Sequence, residues 1–126
     1  MKKWMHFLPA LAFYLFIFLL SSSRIDIDID IDHLDKLGHL VEFGLMGFFL
    51  AIGFYNAFSA SFSTKFGLTF GSGLILAMLD EFHQFFVPFR HSDVVDILAD
   101  AAGLALGICI YRFFATRRKR PVDKAR

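Results

Sequence analysis

LDEFHQFFVPFRHSDVVDILADAAGLALG, residues Leu79 to Gly107, sets acids, histidines, an amide and an arginine between two hydrophobic runs too apolar for an ordinary soluble surface. The first run ends in Asp80, Glu81, His83 and Gln84, Pro88 and Arg90 make a turn, and the second run begins with Asp93, Asp96 and Asp100. Proline breaks a helix because it lacks the N–H that the helix needs. A tight helical hairpin is expected, with all of these polar groups at the same end of two adjacent helices.

The rest of the chain has the same character. Hydrophobic residues make up 56% of the 126, with 18 phenylalanines among them, against roughly half or less in a soluble domain. A bilayer is crossed by about 20 apolar helical residues. Four runs meet that need, at about 4–22, 37–58, 66–87 and 94–114, leaving 115–126 as a tail. The expected fold is a single all-α membrane domain, a bundle of four transmembrane helices with both termini cytoplasmic. Lys2 and Lys3 ahead of the first run also fit a signal peptide, but Ser21 to Ser23 form only a fair cleavage site, so the run is read as a retained helix. Pro9 is expected to kink it.

Orientation follows from the basic residues. Lys2, Lys3, Lys65 and the cluster Arg117, Arg118, Lys119 and Arg120 all fall on one side of a four-span chain, and that side is cytoplasmic by the positive-inside rule. The tail from Thr116 is read as a disordered stub. With a net charge of +1 and no basic stripe away from the termini, nucleic acid is excluded as a partner. The lone Cys109 forms no intrachain disulfide. On the external side, IDIDIDID from Ile25 to Asp32 alternates with period two, which suits an extended strip with its aspartates in water; it lacks the glycine and spacing of a calcium loop.

Three helices then bring polar residues to the external end. Asp35, His39 and Glu42, at i, i+4 and i+7, share one stripe of the second helix, with Lys36 beside them; Asp35 alone has a second reading as a helix N-cap. Glu42 would lie about two turns deep, where a carboxylate must face the bundle and have a partner. Asp93, Asp96 and Asp100 form a matching stripe on the fourth helix, and Asp80, Glu81 and Gln84 end the third. The expected result is one outward-facing polar pocket. Gly67 with Gly71, and Gly103 with Gly107, have the spacing that lets helix backbones approach. No phosphate-binding glycine loop, nucleophile elbow or zinc-protease motif is present, and no serine sits beside a plausible base in the pocket. Asp80-x-x-His83 supplies only half of a di-iron motif.

At this point the residues resemble a known family. DKLGHLVEFGLMG from Asp35, DEFHQFFVPFR from Asp80 and DVVDILADAAGLALG from Asp93 are similar to the VanZ-like family of small bacterial membrane proteins, named after a protein associated with teicoplanin resistance. The resemblance places the family's polar positions on Asp35, Lys36, His39, Asp80, Glu81, Gln84, Pro88, Arg90, Asp93 and Asp96. Asp100 departs from the pattern, standing where an asparagine is usual. The resemblance implies a bacterial cytoplasmic membrane protein with a role in the cell envelope and in antibiotic resistance, without fixing a reaction.

The acids of the pocket outnumber Lys36 and Arg90, so either some carboxylates are protonated or a cation sits among them. Asp80, Glu81, Asp96 and Asp100 are candidate ligands for a divalent cation, magnesium or calcium, which favour oxygen donors. Such an ion could bridge to a lipid-linked phosphate or envelope glycolipid head group held by Arg90 and the helix N-termini. Three readings stay open: a binder of an envelope lipid or polymer head group that alters glycopeptide susceptibility, a membrane-embedded hydrolase or transferase acting on a lipid-linked phosphate, and a proton or cation carrier.

Overall fold

A computed structural model describes residues 2–23 and 32–118. Among these residues all regular structure is helical: a 3-10 turn over Lys3–Phe7, then α1 (Leu8–Ser22), α2 (Asp32–Ala57), α3 (Phe62–Phe85) and α4 (Val94–Arg118). The four spans are long and apolar enough to cross a membrane. At about 1.5 Å per residue, the 24 residues of α3 extend about 36 Å, against a hydrocarbon core of about 30 Å.

Burial is inverted relative to a soluble bundle. Leu11, Leu15, Ile75, Phe82, Leu98 and Phe114 are exposed, while His39, Asp80, Glu81, Gln84, Asp96 and Asp100 are all buried. That inversion is stable only where the surrounding solvent is hydrocarbon, since lipid solvates the apolar faces and leaves the polar groups to find one another. Along the spans, hydroxyls are handled locally. Thr69 and Ser72 donate to the carbonyls of Lys65 and Leu68, one turn back, at 2.7 Å each, so neither needs water.

The closest helix pair is α2 with α4. Their backbones approach through Gly44 and Gly47 on one side and Gly103 and Gly107 on the other: a Cβ on Gly103 would meet the Leu40 carbonyl, and one on Gly107 the Gly44 carbonyl. The expected role of the second glycine pair is thus observed, whereas a Cβ on Gly67 or Gly71 would meet nothing within 4 Å from the rest of the described chain. Equal spacing on α3 makes no close contact among the described residues because that stripe points away from the other helices. Helix α3 packs on α2 and α4, and α1 closes the bundle against α2 and α3. Ala10 and Ile17 of α1 join Phe43, Met46, Leu50, Ala77 and Leu104 in the apolar core.

Several boundaries differ from those expected. Pro9 lies in the first turn of α1, directly after the 3-10 turn. A proline there removes a backbone N–H that has no intrahelical acceptor, so it starts the α-helix instead of kinking it. Lys65 is in the first turn of α3, which Ser61 caps by accepting from the Thr64 N–H, and its Nζ reaches the Tyr55 carbonyl at 3.4 Å. Helix α2 begins at Asp32, so Asp35 is a turn inside and is not its N-cap. Helix α4 continues through Thr116 to Arg118, which places the start of the expected disordered tail within a helix. The alternating strip from Ile25 and the tail residues 119–126 lie outside the described residues, except that Asp32 opens α2.

The hairpin between α3 and α4 turns at Pro88. The Arg90 N–H donates to the Val87 carbonyl at 3.2 Å, and Phe89 has φ 67°, the left-handed conformation that favours glycine at the third position of such a turn. Phe89 is 90% exposed, so it gains nothing from packing within the chain. Phe89→Gly is expected to raise stability in detergent by about 1 kcal/mol by removing the Cβ clash, seen as a higher melting temperature; a lower one would show that the phenyl ring makes an undetected stabilising contact.

Candidate functional site

The ends of α2, α3 and α4 nearest the α3–α4 hairpin meet in a compact polar cluster. On α2 the side chains that engage it are Lys36 and His39, one turn apart. Lys36 Nζ bridges Asp93 Oδ2 and Asp96 Oδ1 at 3.3 Å each. His39 Nδ1 is 3.0 Å from Asp100 Oδ1, and its Nε2 faces Glu81 Oε1 at 3.8 Å. Bases of α2 are thus set against the acid stripe of α4, with Glu81 of α3 closing the third side. Removing one partner of such a buried pair typically costs about 3–5 kcal/mol, because the other charge is stranded.

The expected α2 stripe of Asp35, His39 and Glu42 is only partly what the structure uses. Asp35 is exposed, and Glu42 is half-buried with none of the hydrogen bonds or ion pairs of the described residues reaching it. The partner expected for Glu42 is therefore absent among the described residues. A small rotation of the helix decides this: it brings Lys36 inward and turns its acidic neighbour Asp35 outward.

Asp93 acts as the N-cap of α4. Its Oδ1 accepts from the Val95 N–H at 2.9 Å, and that bond, with the nearby Lys36 ammonium, holds its carboxyl below the usual aspartate value of 3.8. A depressed value means that the cap contributes fully above the unfolded-state pKa and is lost as pH falls through the folded one. Ser92, the residue before it, donates to Glu81 Oε2 at 3.0 Å, and the Asp93 N–H donates to the same oxygen at 3.2 Å. The hairpin therefore fixes one oxygen of Glu81 and leaves Oε1 turned toward His39.

Asp80 and Gln84 form a separate group. Asp80 Oδ1 accepts from Ser21 Oγ and its Oδ2 from Gln84 Nε2, both at 2.7 Å. These bonds tie α1 to α3 and occupy both carboxylate oxygens. The ligand-type atoms accordingly group as His39, Glu81 and Asp100, or as Asp35, His39 and Asp96. Neither set is the expected Asp80, Glu81, Asp96 and Asp100, since Asp80 is engaged elsewhere and His39 is central to both. His83 is in neither group. Its ring packs on Phe18 with centroids 4.3 Å apart, and Nε2 is 2.9 Å from Ser22 Oγ. A serine does stand beside this histidine, outside the cluster, but Ser22 also donates to the Phe18 carbonyl at 2.7 Å, which leaves its hydroxyl hydrogen engaged.

Arg90 is half-buried at the hairpin, and its guanidinium donates to the Leu20 carbonyl at 3.5 Å. Among the described residues it pairs with neither Asp93 nor Asp96, both of which Lys36 engages. The buried cluster is also tighter than a pocket: Asp96 and Asp100 are 1% and 0% exposed, whereas Asp35, Lys36, Arg90, Ser92 and Asp93 present surface at its rim. Ser21 and Ser92 carry hydrogen bonds to Asp80 and Glu81 that sequence reading missed, and small hydroxyls at helix ends give no signal of a distant partner.

No curated protein and no solved structure matches the chain. A family model described as VanZ/LLP1 matches residues 1–115, which takes in all four helices up to the last turns of α4. An integral membrane bundle whose polar cluster is assembled from the segments that carry the resemblance, matched by that model over nearly its whole length, belongs to the VanZ/LLP1 family.

Proposed function

We propose that the protein binds the anionic head group of an envelope lipid, of lipid-linked phosphate or glycolipid type, at the outer leaflet of the bacterial cytoplasmic membrane, and thereby alters susceptibility to teicoplanin-type glycopeptides. In this reading both termini are cytoplasmic and the hairpin at Pro88 is external. The observation that carries it is Arg90, a half-buried guanidinium at an end crowded with acids that is paired with no carboxylate of the described residues. Guanidinium groups recognise phosphate oxygens through paired N–H donors. Lys36, at the same rim, is neutralised by Asp93 and Asp96 and serves to hold the cluster together.

A second reading, a hydrolase or transferase of a lipid-linked phosphate, is favoured by His39. Its Nδ1 contact to Asp100 orients the ring and leaves Nε2 on the Glu81 side, the arrangement of a general base held by a carboxylate. Turnover of purified outer-leaflet lipids separates the two readings.

Arg90→Ala is expected to weaken binding of a polyprenyl phosphate in nanodiscs by at least roughly tenfold, the loss of a charged hydrogen-bonded contact. Its melting temperature should stay close to wild type, because among the described residues the side chain makes one long hydrogen bond. Unchanged binding would remove Arg90 from the site, and a collapse of stability would make it structural.

A further inference from the structure

We infer that His39, Glu81 and Asp100 form a binding site for one divalent transition-metal ion of the zinc or manganese class, set in the bundle beneath the external rim. The three residues come from α2, α3 and α4, and each is buried. One ligand-type atom from each lies within 4.8 Å of the others. Clustering alone would be weak grounds in so acidic a region. The independent observation is that Glu81 Oε1 and Asp100 Oδ2, on side chains 3% and 0% exposed, are buried without a hydrogen-bond partner. A buried acceptor left unsatisfied costs about 1–3 kcal/mol, and more when charged. Glu81 Oε1, which also faces Nε2 of His39, marks a place made for a cation.

The ligands are also held as metal ligands are. Ser92 Oγ and the Asp93 N–H fix Glu81 Oε2, which turns Oε1 toward Nε2 of His39 at 3.8 Å. An ion with bonds of about 2.0–2.2 Å fits between two such atoms. On the other side of the ring Nδ1 lies 3.0 Å from Asp100, so Asp100 serves the site as the carboxylate that orients the metal-bound imidazole, with Glu81 as the direct carboxylate ligand. Charge agrees as well, because a neutral imidazole with two carboxylates balances one divalent cation.

Donor chemistry selects the ion. Magnesium and calcium prefer all-oxygen shells with six or more ligands, whereas an imidazole nitrogen beside carboxylates suits zinc or manganese. Geometry selects the site. In the other grouping Asp35 is exposed, and Asp96 is 3.3 Å from Lys36 Nζ, whose positive charge would repel a second cation. This inference does not depend on the head-group reading, since Arg90 takes no part in it.

The test uses the full chain, purified with a tag free of histidine, stripped with chelator and dialysed against zinc, manganese, magnesium or calcium. Zinc or manganese should be retained at one ion per chain and raise the melting temperature, whereas magnesium and calcium at the same concentration should do neither. Glu81→Gln and His39→Gln should each weaken retention at least roughly tenfold, as should Ser92→Ala, which acts by releasing the Glu81 carboxylate. Ser92 is exposed, so this last variant keeps the test decisive if either buried substitution fails to fold. Asp35→Asn should retain the ion as wild type does. No retained ion in the wild type, wild-type retention in the Ser92 and Glu81 variants, or an equal response to magnesium and calcium would each overturn the site.

Discussion

Gly107→Ala is expected to destabilise the protein by about 3 kcal/mol, the upper part of the ordinary range for overpacking a filled interface. A methyl group at this position would overlap the Gly44 carbonyl and lie 2.9 Å from the Phe48 nitrogen. Both obstacles are backbone, so no side chain can rotate out of the way, and α2 must move off α4. Because Lys36 and His39 ride on α2 and their acidic partners on α4, the polar cluster should loosen with the same displacement. Gly71→Ala is the control. It makes the same chemical change on a helix where nothing lies within 4 Å, and the better helix propensity of alanine should stabilise it by about 1 kcal/mol. Unfolding of both variants in mixed micelles checks the contrast. Equal effects would show that the approach of α2 and α4 does not limit stability.

The second large effect is expected at Asp80. Asp80→Ala deprives the Ser21 hydroxyl and the Gln84 amide of their main acceptor in a buried setting, and at about 1–3 kcal/mol for each stranded group the loss should reach about 3 kcal/mol. Ser21→Ala leaves one Asp80 oxygen without its donor and should cost about 1–2 kcal/mol on the same scale. Asp80→Asn should fall between wild type and Asp80→Ala, because its amide oxygen can still accept from Ser21. The contact of α1 with the bundle is the link at risk, so release of α1 is the event to follow, by cross-linking α1 to α3 across the bilayer. Metal retention at His39, Glu81 and Asp100 should not change in these variants. A change would place Asp80 in the cluster with His39 and undo its assignment as a fastener of α1.

Much of this architecture was legible before any coordinates. Apolar runs of span length, basic residues at both ends and a proline between acid-bearing helix ends lead to an antiparallel four-helix bundle, because a chain in lipid must satisfy its backbone within each segment. The resemblance carried by Asp35 to Gly47, Asp80 to Arg90 and Asp93 to Gly107 led to the right family. The polar residues were legible as a set, since acids do not persist in apolar helices without function or partners.

Their pairing was not. Asp35 and Lys36 are adjacent in sequence, and only the rotation of α2 against α4 puts Lys36 between Asp93 and Asp96 and leaves Asp35 exposed. Gly67 with Gly71 and Gly103 with Gly107 share one spacing, yet only the second pair faces another backbone. Ser21 finds Asp80 across 59 positions of sequence. Helix length is a property of local composition and its transfer into lipid, so the sequence alone determined it. Which oxygen meets which nitrogen depends on helix rotation and crossing, which the packing of glycines and core side chains sets collectively; that, and with it the split of the expected pocket into an Asp80 fastener and a His39 cluster, only the tertiary structure decided.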